Sequence, residues 1–170
     1  MSDLEIVYRT DRLNFIRPNT RYINEILELI NNPAIYNWIM NDYEEFTLEN
    51  EMNWIERHQE DYTFSLIDRA TNSFIGNCSI TVLEDGRGEL GIFLSPAFQN
   101  QGLGTEALSE LIRIGFEEIN LNEITLIVFS NNERAIRCYE RLGFQEYQRV
   151  NNVCMRNNEY IDDIYMRLTR

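Results

Sequence analysis

The sequence predicts one α/β (α+β) domain, a mixed sheet with helices on both faces. Three observations carry that prediction. Strand-like segments come first in a meander, and in the second half strands alternate with helices, the order of a sheet that must be covered on both sides. The chain has 170 residues with 44% apolar content, enough to bury roughly 68–70% of the unfolded surface in a single core. No repeat, low-complexity tract or Pro/Gly/Ser linker divides it, so residues 1–170 are read as one domain.

The elements follow in order. Arg12–Arg17 alternates as a strand does and is stopped by Pro18. Thr20 is positioned to cap a helix whose Ile23, Ile26, Leu27 and Ile30 share one face. A short helix is expected over Ala34–Met40. Thr47 can cap a third, with Leu48, Met52 and Ile55 at helical spacing. Tyr62–Asp68 and Phe74–Leu83 read as strands around the turn at Ala70–Ser73. Asp85-Gly86 then signals a hairpin into Glu89–Leu94, which Ser95-Pro96 breaks. A glycine-containing loop precedes a helix from Leu103 to about Glu118, followed by the strand Ile124–Phe129. Glu133–Leu142 should be helical and end at Gly143, the residue best suited to a left-handed C-terminal position. Phe144–Val153 and Tyr160–Leu168 close the chain as strands flanking a polar turn at Asn157-Asn158.

Composition excludes several functions. With 28 acidic and 15 basic residues the net charge is −13, which argues against nucleic-acid binding, since phosphate neutralisation needs a basic face. All 15 basic residues are arginine. Without lysine there is no Walker A loop, no Schiff-base chemistry and no Ser–Lys dyad. One histidine, His58, and three cysteines (Cys78, Cys138, Cys154) without C-x-x-C spacing give no metal site. Scattered cysteines in odd number fit reduced thiols and a cytoplasmic location, not a disulfide framework. The start Met-Ser-Asp-Leu-Glu lacks the basic and apolar regions of a secretory signal. The longest strongly apolar stretches, six to eight residues, fall short of the ~20 a membrane helix needs.

The chemistry concentrates at Gln99-Asn100-Gln101-Gly102-Leu103-Gly104-Thr105, between a strand and a helix. Unpaired N–H groups and the positive end of the helix dipole favour a phosphate there, and two glycines allow close backbone approach. Such glycines also serve ordinary loop-to-helix caps. A dinucleotide fingerprint fits Gly102-x-Gly104-x-x-Ala107 nominally but fails on context. Seven residues, Ser95–Gln101, separate strand from glycine, and the next strand ends in Ser130-Asn131 with no acid for a ribose. Gln99-x-x-Gly102-x-Gly104 resembles the pyrophosphate loop of the GNAT acetyltransferases. Asn132, 28 residues beyond Gly104, opens a second stretch similar to that family's N-x-x-A-x-x-x-Y-x-x-x-G-F, with Ala135, Tyr139, Gly143 and Phe144 in place. Thr10–Leu13 with Arg17-Pro18, Phe74–Gly76 and Arg156–Glu159 resemble the branch containing ribosomal-protein N-terminal and spermidine acetyltransferases. Asn158 stands where that branch usually has a turn glycine, and asparagine tolerates the left-handed conformation.

The resemblance implies a mostly antiparallel sheet with one splayed parallel strand pair, acetyl-CoA as donor substrate, no metal, and direct attack by an amine acceptor. It implies that Ile92, Phe93 and Leu94 run beside the pantetheine. Gln99–Thr105 would hold the pyrophosphate, with Asn132 and Ala135 beside the arm. Tyr139 would be the acid facing the sulfur, and Glu89 the base. On the residues alone, Tyr139 also reads as a core tyrosine beside Ile136 and Leu142, Asn132 as a helix cap, and Glu89 as an exposed strand-end charge. Cys138, about 100° from Tyr139 on the helix, is expected to pack and not to react.

Between Asp42 and Asp61, eight acids face one Arg57. They read either as a solvated helix face or as an acidic mouth attracting a cationic acceptor, with Asp42, Glu44 and Glu45 as substrate-binding candidates. Asp42-Tyr43-Glu44-Glu45-Phe46 is similar to the acidic acceptor segment of spermidine acetyltransferases, and that resemblance implies a small cationic amine, a polyamine or diamine, as the favoured acceptor. A protein N-terminus, an aminoglycoside or an amino sugar is the alternative within the class, and a non-catalytic acyl-CoA sensor the alternative outside it. A homo-oligomer is left open, and no nucleic-acid or membrane partner is expected.

Overall fold

A computed structural model describes residues 4–170. Among these residues eight strands form one sheet: β1 (Ile6–Arg9), β2 (Leu13–Ile16), β3 (Thr63–Asp68), β4 (Phe74–Val82), β5 (Gly88–Leu94), β6 (Glu123–Phe129), β7 (Gln145–Arg156) and β8 (Glu159–Thr169). Their spatial order is β1-β2-β3-β4-β5-β6-β8-β7, antiparallel throughout except for β5 and β6. Among the described residues five α-helices accompany them: α1 (Ile23–Ile30), α2 (Pro33–Ile39), α3 (Leu48–Arg57), α4 (Leu103–Arg113) and α5 (Glu133–Arg141).

Two apolar cores lie on opposite faces of the sheet. The larger joins Phe15, Phe64, Leu90 and Ile164 of the strands to Leu108, Leu111 and Ile114 at α4. The smaller joins Ile16, Ile67 and Phe74 to Ile26, Ile35 and Ile55 of the first three helices. Each large apolar side chain so enclosed stabilises the fold by roughly 1.5–3 kcal/mol.

Several sequence expectations need correction. β1 was not anticipated; it is four residues at the sheet edge, joined to β2 through a bulge. Thr20 does not cap the first helix. Asn19 caps a 3-10 turn, Thr20–Tyr22, and α1 starts only at Ile23. The short helix begins at Pro33, one residue early, because the Asn32 side chain accepts from the Ala34 N–H. The expected 103–118 helix is regular only to Arg113. Residues Ile114–Glu118 widen into a π turn in which the Ile119 N–H reaches the Ile114 carbonyl. Thr47 caps α3 as expected, in a reciprocal pair with Asn50. Gly143 and Asn158 adopt positive φ, +102° and +64°.

The feature that positions the site is the β5–β6 junction. These strands pair only at Gly88–Ile124 and Glu89–Thr125. Beyond that point β5 follows β4 to its end at Leu94, and β6 follows β8 to Phe129. Gly76 makes the first course possible, since a Cβ there would lie 2.1 Å from the Phe93 carbonyl oxygen. The two strands diverge because each is held by its outer neighbour, and their facing edges have no ladder partner.

Candidate active site

The gap between β5 and β6 opens into a cavity of about 1120 Å³, lined by both strands, by α2, by the start of α4 and by α5. Register assigns its lining to the two faces of the sheet. Leu90, Ile92, Leu94, Leu126 and Val128 point to the α4–α5 side, where the larger core lies. Side chains alternate along a strand, so Glu89, Gly91, Phe93, Ile127 and Phe129 face α2, whose Ala34, Ile35, Trp38 and Ile39 form the opposite wall. One cavity is therefore lined from both faces.

On the α4 side, Gly102 ends the loop in a left-handed conformation, φ +79°, and no side chain caps the helix. The first-turn N–H groups thus meet the cavity without a partner from the loop, as an anion site requires. The loop itself is braced. Gln99 Nε2 donates to the Leu94 carbonyl at 2.9 Å, and its Oε1 accepts from Arg134 Nη2 at 2.9 Å. Asn100, at φ +61°, accepts from Arg134 Nη1 at 2.8 Å. Arg12 donates to the Gln101 carbonyl at 2.8 Å and pairs with Glu106 at 2.7 Å, tying the β1–β2 turn to α4. Arg134 makes no ion pair among the described residues and presents its charge to the cavity, as does Arg141, whereas Arg137 pairs with the lining residue Glu133 at 3.7 Å.

Asn132 caps α5, its Oδ1 accepting from the Ala135 N–H at 3.4 Å, and both residues line the cavity. Tyr139 lies on the same helix, its ring edge-on to Phe144 at 6.2 Å. Burial, reinforced by the neighbouring Cys138, pushes its phenol up to about 12. The hydroxyl has no hydrogen-bond partner among the described residues. Cys138 packs against the larger core as expected and also reaches the cavity wall, with Sγ 3.4 Å from Thr105 Oγ1.

Of the residues singled out by sequence, Glu89, Ile92, Phe93, Leu94, Gln99, Asn100, Gly102, Gly104, Thr105, Asn132, Ala135 and Tyr139 meet at this cavity. Two of the loop residues do not. Leu103 is buried in the larger core, and the Gln101 side chain turns back to the Ala97 carbonyl. Asp42, Glu44 and Glu45 are exposed on the segment between α2 and α3 and lie outside the lining, which ends at Asn41. Arg156 holds that segment, donating to the Met40 and Asn41 carbonyls at 2.8 and 3.0 Å. The sequence reading missed the α2 wall, the arginines of α5, and Asp163 on β8. Trp38 and Ile39 carried a signal, two large apolar residues left outside the helix's packing face.

The cavity fits the ligand that such a loop and such a cleft imply. It is larger than the usual small-molecule pocket, and it has an uncapped helix start and arginine charge on one side. Among the described residues no cluster of His, Cys, Asp and Glu could hold a metal, and no helix is long and apolar enough to cross a membrane.

Comparison with known proteins agrees with this architecture. Residues 12–145 match the acetyltransferase (GNAT) domain. The spermidine N(1)-acetyltransferase of Escherichia coli K12 is 27% identical over 161 residues, covering 88% of this chain and 80% of that one. The fold superposes on spermidine N-acetyltransferase from Vibrio cholerae, in complex with CoA and spermine, with TM-score 0.83, 20% identity and coverage of 94% and 96%. A GNAT-family acetyltransferase from Bacillus anthracis gives TM-score 0.81 at 20% identity, with coverage of 95% and 96%. The chain belongs to the GNAT family of acetyltransferases, enzymes whose acyl donor is acetyl-CoA.

Proposed function

We propose that the protein acetylates a primary amine of a small cationic acceptor, a diamine or polyamine such as spermidine, by direct attack on the thioester. The observation that carries this reading is the division of charge within one cavity. On the α5 side Arg134 and Arg141 have no ion pair among the described residues and Arg137 is offset by Glu133 at 3.7 Å, leaving a net positive wall, while Glu89 faces α2 with no ion pair among the described residues. Phosphates and an ammonium would be drawn to opposite faces of the sheet and would meet at the gap.

The residues divide the work accordingly. The N–H groups at the start of α4 and the Arg134 guanidinium bind the pyrophosphate, and Gln99 and Asn100 hold that guanidinium in place. Glu89 takes a proton from the acceptor ammonium, which is almost wholly protonated near neutral pH and must lose it to become a nucleophile. A backbone N–H on the unpaired edge of β5 stabilises the carbonyl oxygen as negative charge develops. Tyr139 donates a hydrogen bond to the departing thiolate. The exposed acids Asp42, Glu44 and Glu45 act at a distance, raising the local concentration of cations at the mouth.

Thiol release from acetyl-CoA, measured across a panel of amines, tests the reading. The panel comprises diamines, spermidine, peptide N-termini, aminoglycosides and amino sugars. Turnover is expected to be fastest with the linear polyamines. A preference for peptides or aminoglycosides would transfer the activity to that class, and CoA binding without turnover on any amine would make the chain a sensor.

A further inference from the structure

Three carboxylates line the cavity: Glu89 has a place in the proposed chemistry, Glu133 pairs with Arg137 at 3.7 Å, and Asp163 has neither a role nor a partner among the described residues. It sits on β8 directly opposite Phe129 of β6. Its neighbour Ile164 belongs to the larger core with Val128, so Asp163 shares with Phe129, Ile127 and Glu89 the face covered by α2. The adjacent Asp162 is fully engaged. It accepts from the Asn152 N–H at 3.0 Å and pairs with Arg149 at 3.3 Å. Asp163 has no hydrogen bond and no ion pair among the described residues. Burial raises its carboxyl above the usual range, as expected for a charge partly withdrawn from water without a counter-ion.

Its position relative to Glu89 gives the absence of a partner a chemical reading. Glu89 is in register with Thr125, and Asp163 with Phe129, four residues further along β6. At about 3.3 Å per residue along the strand and about 4.8 Å per strand crossed, the two Cα atoms are on the order of 16 Å apart. One carboxylate lies where β5 and β6 part, the other at the far end of the gap. A compact monoamine reaches only one of them. A linear chain with ammonium groups separated by several methylenes reaches both. Between them the wall is apolar (Ile127, Phe129, Ile35, Trp38), as suits a methylene chain.

We infer that Asp163 binds the second, non-reacting ammonium of the acceptor and thereby selects diamines and polyamines over monoamines. This rests on the proposed polyamine acetylation and adds to it the residue that sets specificity. Because Asp163 is unpartnered, Asp163→Asn removes the charge without breaking any bond of the fold, and its melting temperature should match wild type.

The test compares kcat/KM for spermidine, for an α,ω-diamine and for a monoamine of the same chain length, in wild type, Asp163→Asn and Asp163→Glu. Wild type should prefer the diamine to the monoamine at least tenfold. Asp163→Asn should lose most of that preference through a higher KM for the diamine, with the monoamine unchanged within twofold. Asp163→Glu, which restores the charge, should recover part of it. If wild type prefers diamines and Asp163→Asn keeps the preference, or loses activity equally on both amines, Asp163 is not the selector and the acceptor class stands. If wild type does not distinguish diamine from monoamine, the acceptor class and the role of Asp163 fall together.

Discussion

Replacing Tyr139 by phenylalanine removes one oxygen from the cavity wall and leaves the ring against Phe144 in place. The hydroxyl bonds to nothing among the described residues, so the fold should tolerate the change, with a melting temperature within about 2 °C of wild type. The size of the catalytic effect follows from the phenol's acidity. At about 12 it is a weaker acid than a thiol near 8.5, so complete proton transfer to the departing thiolate would be uphill by about 5 kcal/mol. Donation of a hydrogen bond has no such cost. A hydrogen bond to a charged group contributes about 1.5–3 kcal/mol, which is roughly a ten- to 150-fold change in rate. The variant should therefore show a kcat lowered by that factor, with the KM for acetyl-CoA within twofold, in a continuous thiol-release assay at saturating acceptor. Single-turnover measurement would separate chemistry from product release. An unchanged single-turnover rate removes Tyr139 from the mechanism. A loss of several thousandfold would instead require full proton transfer, and the acidity argument would fail.

Three further outcomes are expected. Glu106 is partly buried, which alone would raise its pKa, but donors from Thr10, the Arg12 N–H and the Arg12 guanidinium outweigh burial and hold the carboxyl below its ordinary range. Its stabilising contribution is therefore complete above about pH 4.5 and is lost as pH falls through the lower folded value. Glu106→Gln should cost about 1–2 kcal/mol at pH 7, and the gap to wild type in denaturation curves should narrow as pH falls below about 4.5; a gap independent of pH would contradict this. Arg156→Ala should release the end of α2 from the β7–β8 hairpin, raising the acceptor KM several-fold while leaving the acetyl-CoA KM unchanged; an equal rise in both would place the effect elsewhere. The double change Glu44→Gln, Glu45→Gln should raise the spermidine KM at low ionic strength, and the difference should vanish near 1 M salt, where the Debye length is about 3 Å. An unaltered KM at low salt would dismiss the acidic mouth.

What was legible in the sequence was local. The Thr47 cap, the Gly86 turn, the left-handed Gly143 and the alternation of the second half each depend on residues within a few positions of one another. β1 was not legible, because Ile6-Val7-Tyr8 is a continuous apolar run with no alternation and a bulge interrupts its pairing with β2. The Asn19 cap was hidden by Thr20, a neighbour with an equal claim, whereas Asn32 followed by Pro33 is itself a helix-start signal that the reading passed over. The site divided along the same line. Its two motifs marked the loop and α5, yet the Arg134 brace joins residues 34 and 35 positions apart and exists only once α5 lies beside the loop. Asp163 was obscured for a different reason. The stretch Ile161-Asp162-Asp163-Ile164 does not alternate, and only the observed pairing with β6 shows which aspartate turns toward the gap.

The opening between β5 and β6 also has a kinetic meaning. With the cavity lined from both faces of the sheet, neither reactant need pass through the place of the other. Initial-rate patterns should then intersect, as they do when both reactants are present before either product leaves, and addition should be random in order. Each product should compete with the substrate that enters from its own side. A single molecule in which a polyamine is joined to CoA through a two-carbon bridge would occupy both entrances together. It should compete with both substrates and bind far more tightly than either half, since the second half is already held in place when the first engages.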